Sequence, residues 1–201
     1  AFARPLITQA QHKADLNIGP ELSPDGSRLI YFSERDLFSI DLYVADARTG
    51  EVIKKITNTA TSAHYDSLAF LTSAGSWDPT GKRFVFPAVS KGEATLNIVD
   101  VERGRTEREI TVKGANEIVN PAWSPDGKQI VFSGMVGGFI DLFVYDLESD
   151  TERRLTTDAY AERAVDWIEK NRGQPKFLYL PFNAQHAPLE APKKYLDRFP
   201  N

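Results

Sequence analysis

Three times along this chain a large apolar residue, Trp in two of the copies, leads into a short turn phrase. The copies are Leu22-Ser23-Pro24-Asp25-Gly26, Trp77-Asp78-Pro79-Thr80-Gly81 and Trp123-Ser124-Pro125-Asp126-Gly127. They recur at intervals of roughly 50 residues, and self-similarity at a fixed period marks a repeat architecture. Proline presets φ at the first turn position and glycine supplies a positive φ, so each phrase makes a tight reversal between two strands. Trp77 and Trp123, placed just before the reversal, suit anchors in a core between neighbouring sheets.

Each phrase is followed by the same sequence of runs. The first copy has Arg28-Leu29-Ile30-Tyr31-Phe32 and then Asp41-Leu42-Tyr43-Val44-Ala45-Asp46. The second has Arg83-Phe84-Val85-Phe86 and Leu96-Asn97-Ile98-Val99-Asp100, and the third Gln129-Ile130-Val131-Phe132 and Asp141-Leu142-Phe143-Val144-Tyr145-Asp146. A polar strand closes each unit, at residues 52–57, 106–111 and 152–156. Short runs rich in Val, Ile, Phe and Tyr, punctuated by Pro, Asp and Gly, are the signal of antiparallel sheet. The chain is therefore expected to be mainly β, with three four-stranded antiparallel units near residues 22–57, 77–111 and 123–156. The stretch 60–76, rich in Ser, Thr and Ala, reads as an elaborated loop that lengthens the first interval. Asp41 and Asp141 head equivalent strands, which predicts a repeated structural role as acceptors of backbone donors between strands. Residues 107–109 and 152–154 fit a polar outer strand. Gly137-Gly138 fits a turn, not a phosphate loop, because no helix follows it.

With these runs in hand, the chain resembles the WD40-like repeats of TolB-type β-propellers, whose blades carry W-S-P-D-G-x-x-I-x-F followed by D-L-Y-V-x-D. The resemblance covers about residues 18–160. It implies a partial propeller that does no chemistry itself and binds a protein in the bacterial cell envelope. Three blades do not close a ring that needs four or more, and open sheet edges pair readily with other chains. The expected partners are thus further blades completing the propeller, in a larger protein, an oligomer or a complex, or a separate protein.

The fourth copy breaks the pattern. Ala164-Val165-Asp166-Trp167 stands where a fourth unit would begin, but Ile168-Glu169-Lys170-Asn171 replaces the turn phrase. Ala161, Ala164, Val165 and Ile168 recur at helical spacing, Asp158 suits an N-cap, and Pro175 forbids continuation. The string Pro175-Lys176-Phe177-Leu178-Tyr179-Leu180, followed by Asn183-Ala184-Gln185-His186-Ala187-Pro188-Leu189, resembles the internal segment of type I sulfatases of the alkaline-phosphatase superfamily. There a helix leads into a buried strand and then a loop N-A-x-H-x-P-L. The chain thus reads as two parts joined near residues 155–161: propeller blades over 1–157 and a sulfatase-like helix, strand and His loop over 158–201.

The sulfatase resemblance implies that the loop histidine faces an anionic oxygen, so His186, with Asn183 and Lys193 nearby, is the anion-binding candidate. An ordinary loop histidine held by Pro188 and Pro192 fits the same residues. That family's nucleophile is a Cys or Ser in C/S-x-P-x-R, and this chain has no Cys. Ser23 and Ser124 precede Pro directly and belong to blade turns, and no Asp-Asp pair stands in the N-terminal half to hold a divalent cation. The chain is therefore expected not to be an enzyme and to need no cofactor or metal. The alternative is a sulfatase-related sulfuric ester hydrolase fragment, inactive without those motifs. His12 and His64 lie a blade apart and share no ligand spacing. His64, Tyr65 and Asp66 suit either a channel mouth or a solvated loop.

A net charge of −4 gives no reason to expect nucleic acid as a partner, and 26% charged residues leave no apolar run long enough to span a membrane. Ala1-Phe2-Ala3-Arg4-Pro5 lacks a signal-peptide core. Both resemblances imply a periplasmic or extracellular place.

Overall fold

The computed structural model describes residues 5–36, 39–61, 64–69, 73–156 and 169–170. They form three antiparallel sheets preceded by a one-turn helix α1 (Gln9–His12). The first sheet runs in chain order through β1 (Asn17–Leu22), β2 (Arg28–Ser33), β3 (Asp41–Asp46) and β4 (Val52–Lys55). The third runs likewise through β10 (Ala115–Trp123), β11 (Gln129–Val136), β12 (Phe139–Asp146) and β13 (Thr151–Arg154). In the second, two short strands, β5 (Ser67–Leu68) and β6 (Ser76–Trp77), pair with the two ends of β7 (Arg83–Ser90). That strand then pairs with β8 (Glu93–Asp100), and β8 with β9 (Arg105–Thr111). The stretch expected to be an elaborated loop carries β5 and the first residue of β6, so it supplies the inner strand of the second blade in two short pieces. Each sheet starts one strand before its turn phrase, because the phrase is the hairpin between the first and second strands.

The turn chemistry explains the phrase. Gly26, Gly81 and Gly127 have φ of 70°, 67° and 71°. Each glycine N–H donates to the carbonyl three residues back, at 2.8, 2.9 and 2.9 Å. In the first and third copies the serine hydroxyl donates to Asp25 or Asp126 at 2.6 Å and accepts the N–H of Arg28 or Gln129 at 2.9 Å. In the second copy the two roles are exchanged. Thr80 donates its hydroxyl to Asp78 at 2.7 Å, and the Asp78 carboxylate accepts the N–H of Arg83 at 2.9 Å.

The sheets stack face to face. Pairing puts Ile30 opposite Val44 and Phe32 opposite Leu42, giving blade 1 a forward face. That face is buried in one cluster with Trp77, Phe84, Phe86 and Val99 from the rear of blade 2. Val85, Leu96 and Ile98 on the forward face of blade 2 meet Ile130, Phe132, Phe143 and Tyr145 of blade 3 in a second cluster. Trp77 packs edge-on against Phe84 and donates its Nε1–H to the Glu21 carbonyl of the preceding blade at 3.0 Å. The Arg28 guanidinium lies 5.4 Å from the Trp77 ring centroid and donates to the Gly81 carbonyl at 2.7 Å. Arg83 lies 4.6 Å from the Trp123 ring centroid. The tryptophans are thus anchors between sheets, each roofed by an arginine of the blade before it.

Phe32 is fully buried at the first junction, edge-on to Phe86. Phe32→Ala is expected to cost about 3–5 kcal/mol in urea unfolding, the range for emptying a core aromatic site. A loss under 1 kcal/mol would show that the junction carries little of the stability. A second expectation concerns acid. Asp25 is held down at about 2 by the Ser23 hydroxyl first and by Ser27. Asp146 is held at about 2 by the Ser149 N–H first and by Gln129. Carboxyls depressed in the folded state contribute stability above their ordinary value, 3.8, and lose it as pH falls toward 2. Thermal melts should show Tm falling through that window, and Asp25→Asn with Asp146→Asn should flatten the fall. An unchanged slope would contradict the assignment.

Candidate functional site

The inner strands all break at the same register. β1 shifts between Ile18 and Glu21, where Gly19 (φ 63°) precedes Pro20. β10 shifts between Val119 and Ala122, where Asn120 (φ 54°) precedes Pro121. In the second blade β5 ends at Leu68 and β6 begins at Ser76, directly after Gly75 (φ 102°). A positive φ next to a proline that cannot donate to the ladder is how a bulge is written into a strand. Gly75 admits no side chain at all, since a Cβ there would lie 2.2 Å from the Val85 carbonyl oxygen.

These three breaks meet around one recess of about 670 Å³, lined by Ile18, Gly19 and Glu21, by residues 73–76, and by Asn120, Pro121 and Ala122. Its walls are tied across the blades. Asn120 N–H donates to the Ser73 hydroxyl at 2.9 Å, and Trp123 N–H to the Ser76 hydroxyl at 3.3 Å. Glu21 is the titratable residue of the lining, and burial pushes its carboxyl up from the ordinary range. The site offers small side chains, backbone groups and one carboxyl, a surface that recognises by shape and hydrogen bonding. The turn phrase does not point to it. The signal that does is Pro20 and Pro121, each standing two residues before the position of Leu22 or Trp123.

Asp41 and Asp141 lie on the sheets and not in the recess. The Asp41 carboxylate accepts the Thr57 hydroxyl at 2.9 Å, the Thr59 N–H at 2.7 Å and the Lys55 ammonium at 2.8 Å. Thr57 in turn accepts the Leu42 N–H at 2.9 Å. Asp141 repeats the arrangement with Thr156 and Arg154, and Thr156 accepts the Leu142 N–H at 3.0 Å. Each carboxylate clamps the end of the outer strand to its neighbour. Burial works against the Lys55 ammonium, but Asp36 and Asp41 outweigh it and hold it protonated.

His64 is placed away from the recess. Its Nε2 lies 2.8 Å from Glu109 on the outer strand β9, and Tyr65 shares a hydrogen bond with Thr106 of the same strand. Asp66 accepts the Gly92 N–H at 2.7 Å. These three contacts all lie within blade 2. His12 sits on α1 behind blade 1, edge-on to Tyr31. Among the described residues, no three His, Asp or Glu side chains gather to hold a metal ion. Gly137 and Gly138 make the hairpin between β11 and β12, both with positive φ. His186, Asn183 and Lys193 lie outside the described residues, as does most of the helix expected from Asp158. Its Glu169 and Lys170 are described and are helical. No helix of the described residues is long and apolar enough to cross a membrane.

Among solved structures, the chain is similar to TolB from Acinetobacter baumannii, with 25% identity and a TM-score of 0.54 over 69% of this chain and 32% of that one. It is also similar to a putative TolB from Agrobacterium tumefaciens, with 20% identity and a TM-score of 0.59 over 73% and 49%. Hydrazine synthase from Kuenenia stuttgartiensis shares the fold at 15% identity and a TM-score of 0.51 over 68% and 41%. The chain spans about a third to a half of the length of these proteins. The sulfatase family profile matches residues 51–201, covering the second and third blades as well as the segment carrying His186. The described residues are blades of a TolB-like propeller, and by that match over most of its length the chain belongs to the sulfatase family.

Proposed function

We propose that this chain acts as a non-catalytic propeller scaffold that binds a protein partner in the bacterial cell envelope. The observation that carries the reading is the recess where the broken inner strands of three blades meet. Its hydroxyls at Ser73 and Ser76 are engaged in holding neighbouring blades, which leaves Glu21 and the backbone to meet a ligand. A polypeptide presenting N–H groups and a basic residue to Glu21 suits this lining. The likeness to TolB, a propeller seen in two bacteria, supports an envelope setting, periplasmic or extracellular.

A second reading follows from the family match. In it the chain contributes to hydrolysis of a sulfuric ester, with His186, Asn183 and Lys193 around the anion. A sulfate ester needs a nucleophile and a cation that neutralises the developing charge. In this chain neither C/S-x-P-x-R nor a paired Asp motif in the N-terminal half supplies them, so the scaffold reading stands first.

The two readings separate in one set of assays. Envelope proteins captured by the full chain are expected to be lost with Glu21→Lys, and 4-nitrophenyl sulfate with added calcium is expected to remain intact. Turnover of that ester, abolished by His186→Ala and unaffected by Glu21→Lys, would overturn the scaffold reading in favour of the hydrolase.

A further inference from the structure

A second hollow, of about 470 Å³, shares no residue with the recess of the inner strands. It lies at the seam between α1 and the β3–β4 turn, and His12, Arg35, Thr49, Gly50, Glu51 and Val52 line it. The seam is fixed by packing. Leu6 and Ile7 pack on Leu29, Tyr31, Tyr43 and Ala45 of blade 1. The Leu6 carbonyl oxygen comes so close to Gly50 (φ 76°) that a Cβ there would stand 2.3 Å from it.

Several polar groups of this lining are already engaged. The Thr49 hydroxyl donates to Asp46 at 3.1 Å and accepts the Glu51 N–H at 3.2 Å, and the Gly50 N–H donates to the Asp46 carbonyl at 2.9 Å. Three groups are left over. The Arg35 guanidinium and the Glu51 carboxylate are opposite charges lining one hollow, yet they form no salt bridge with each other or with any other described residue. Asp36, next to Arg35 in the chain, is taken by Lys55 and by the Tyr43 hydroxyl at 3.1 Å. The third group is His12, 6% exposed, whose Nδ1 has no hydrogen-bond partner among the described residues.

The state of the His12 ring follows from its surroundings. Burial first, and the Arg35 charge second, push its pKa down, against a hydrogen bond to the Gly50 backbone that pushes it up. A ring that gains basicity from a backbone contact donates in it, so Nε2 carries the proton and Nδ1 keeps a lone pair. A buried acceptor of this kind is stabilised by any donor brought to it.

These groups define the chemistry of an occupant. An anion alone would meet the Glu51 carboxylate, and a cation alone the Arg35 guanidinium. A molecule carrying both an ammonium and a carboxylate answers both. Its ammonium has three donors and no acceptor, which suits two acceptors, and its carboxylate accepts the planar fork of an arginine. The volume falls within the range of about 300–1,000 Å³ that small-molecule sites occupy.

We propose that this hollow is a binding site for a small zwitterion of the α-amino acid type, its carboxylate on Arg35 and its ammonium shared by Glu51 and the His12 Nδ1. A free amino acid and a dipeptide share this chemistry. The site goes beyond the scaffold reading, draws on neither the inner-strand recess nor an envelope partner, and stands or falls apart from them.

The test is histidine-selective NMR of the full chain, which has three histidines. His64→Gln and His186→Gln identify two sets of signals, and the remaining set is that of His12. L-alanine and L-alanyl-L-alanine are the probes. N-acetyl-L-alanine, which lacks the ammonium, and L-alaninamide, which lacks the carboxylate, are the controls. A zwitterion is expected to move the His12 signals saturably while those of His64 stay in place, and each control is expected to bind about tenfold or more weakly. Tighter binding of alanine assigns the free amino acid as the source, and tighter binding of the dipeptide assigns a peptide. Arg35→Gln is expected to remove the advantage of alanine over its amide, and Glu51→Gln its advantage over the N-acetyl form. Both side chains are exposed, so neither change disturbs the core. No saturable shift at His12 before the probes move His64 overturns the proposal. So does a control that binds as tightly as alanine, or an alanine affinity unchanged in both variants.

Discussion

The structure depends on one constraint: a four-stranded sheet with two apolar faces is not stable alone, and each blade solves this by lending a face to its neighbour. Ile30, Phe32, Leu42 and Val44 are buried only because Trp77, Phe84 and Phe86 stand over them. Burial of this kind contributes about 25 cal/mol per Å² of apolar surface, so the junctions outweigh any single hydrogen bond in the molecule. Polar groups are arranged around them. Arg28 and Arg83 roof the tryptophans, Lys54 and Arg108 reach the next turn, and the carboxylates of Asp41 and Asp141 clamp the outer strands. These contacts fix the register in which the apolar faces meet.

The recess sits where that packing is interrupted. A regular inner strand would bring neighbouring blades into continuous contact. The positive φ at Gly19, Asn120 and Gly75 turns the chain aside, and the recess is the space left behind. It is built from positions that a packed core would not choose, with small residues, backbone groups and a carboxyl whose burial disfavours its charge. The family match and the propeller likeness overlap on the second and third blades. The physical reading of those residues is that of blades: their side chains are spent on stacking, turns and clamps.

Most of the fold was legible because its signals are local. Pro-x-Gly at the turns, the paired apolar runs and the terminal Asp of each third strand all act within a few residues, and the sheets follow them in order. The inner strand of the second blade was not legible. Ser67-Leu68 and Ser76-Trp77 are two-residue pieces held by β7, and their strand character comes from tertiary pairing rather than propensity. The recess was hidden for a related reason, since Gly19-Pro20 and Asn120-Pro121 gain meaning only when three blades bring them together. Asp41 and Asp141 announced a repeated role, but the second blade carries Thr95 in that place, bonded to the Ala88 carbonyl and Asn97. The device is therefore optional to the blade. His186, Asn183 and Lys193 rest on the sulfatase string alone.

Native-state hydrogen exchange, read strand by strand, tests the central claim that the blades hold one another by their faces. If they do, β7 and β8 of the middle blade, covered on both sides, exchange slowest. β11 and β12 of the third blade, covered by described residues on one side, then exchange faster, at a free energy below that of global unfolding. Equal protection of all three blades, or a third blade as protected as the second, would contradict the account.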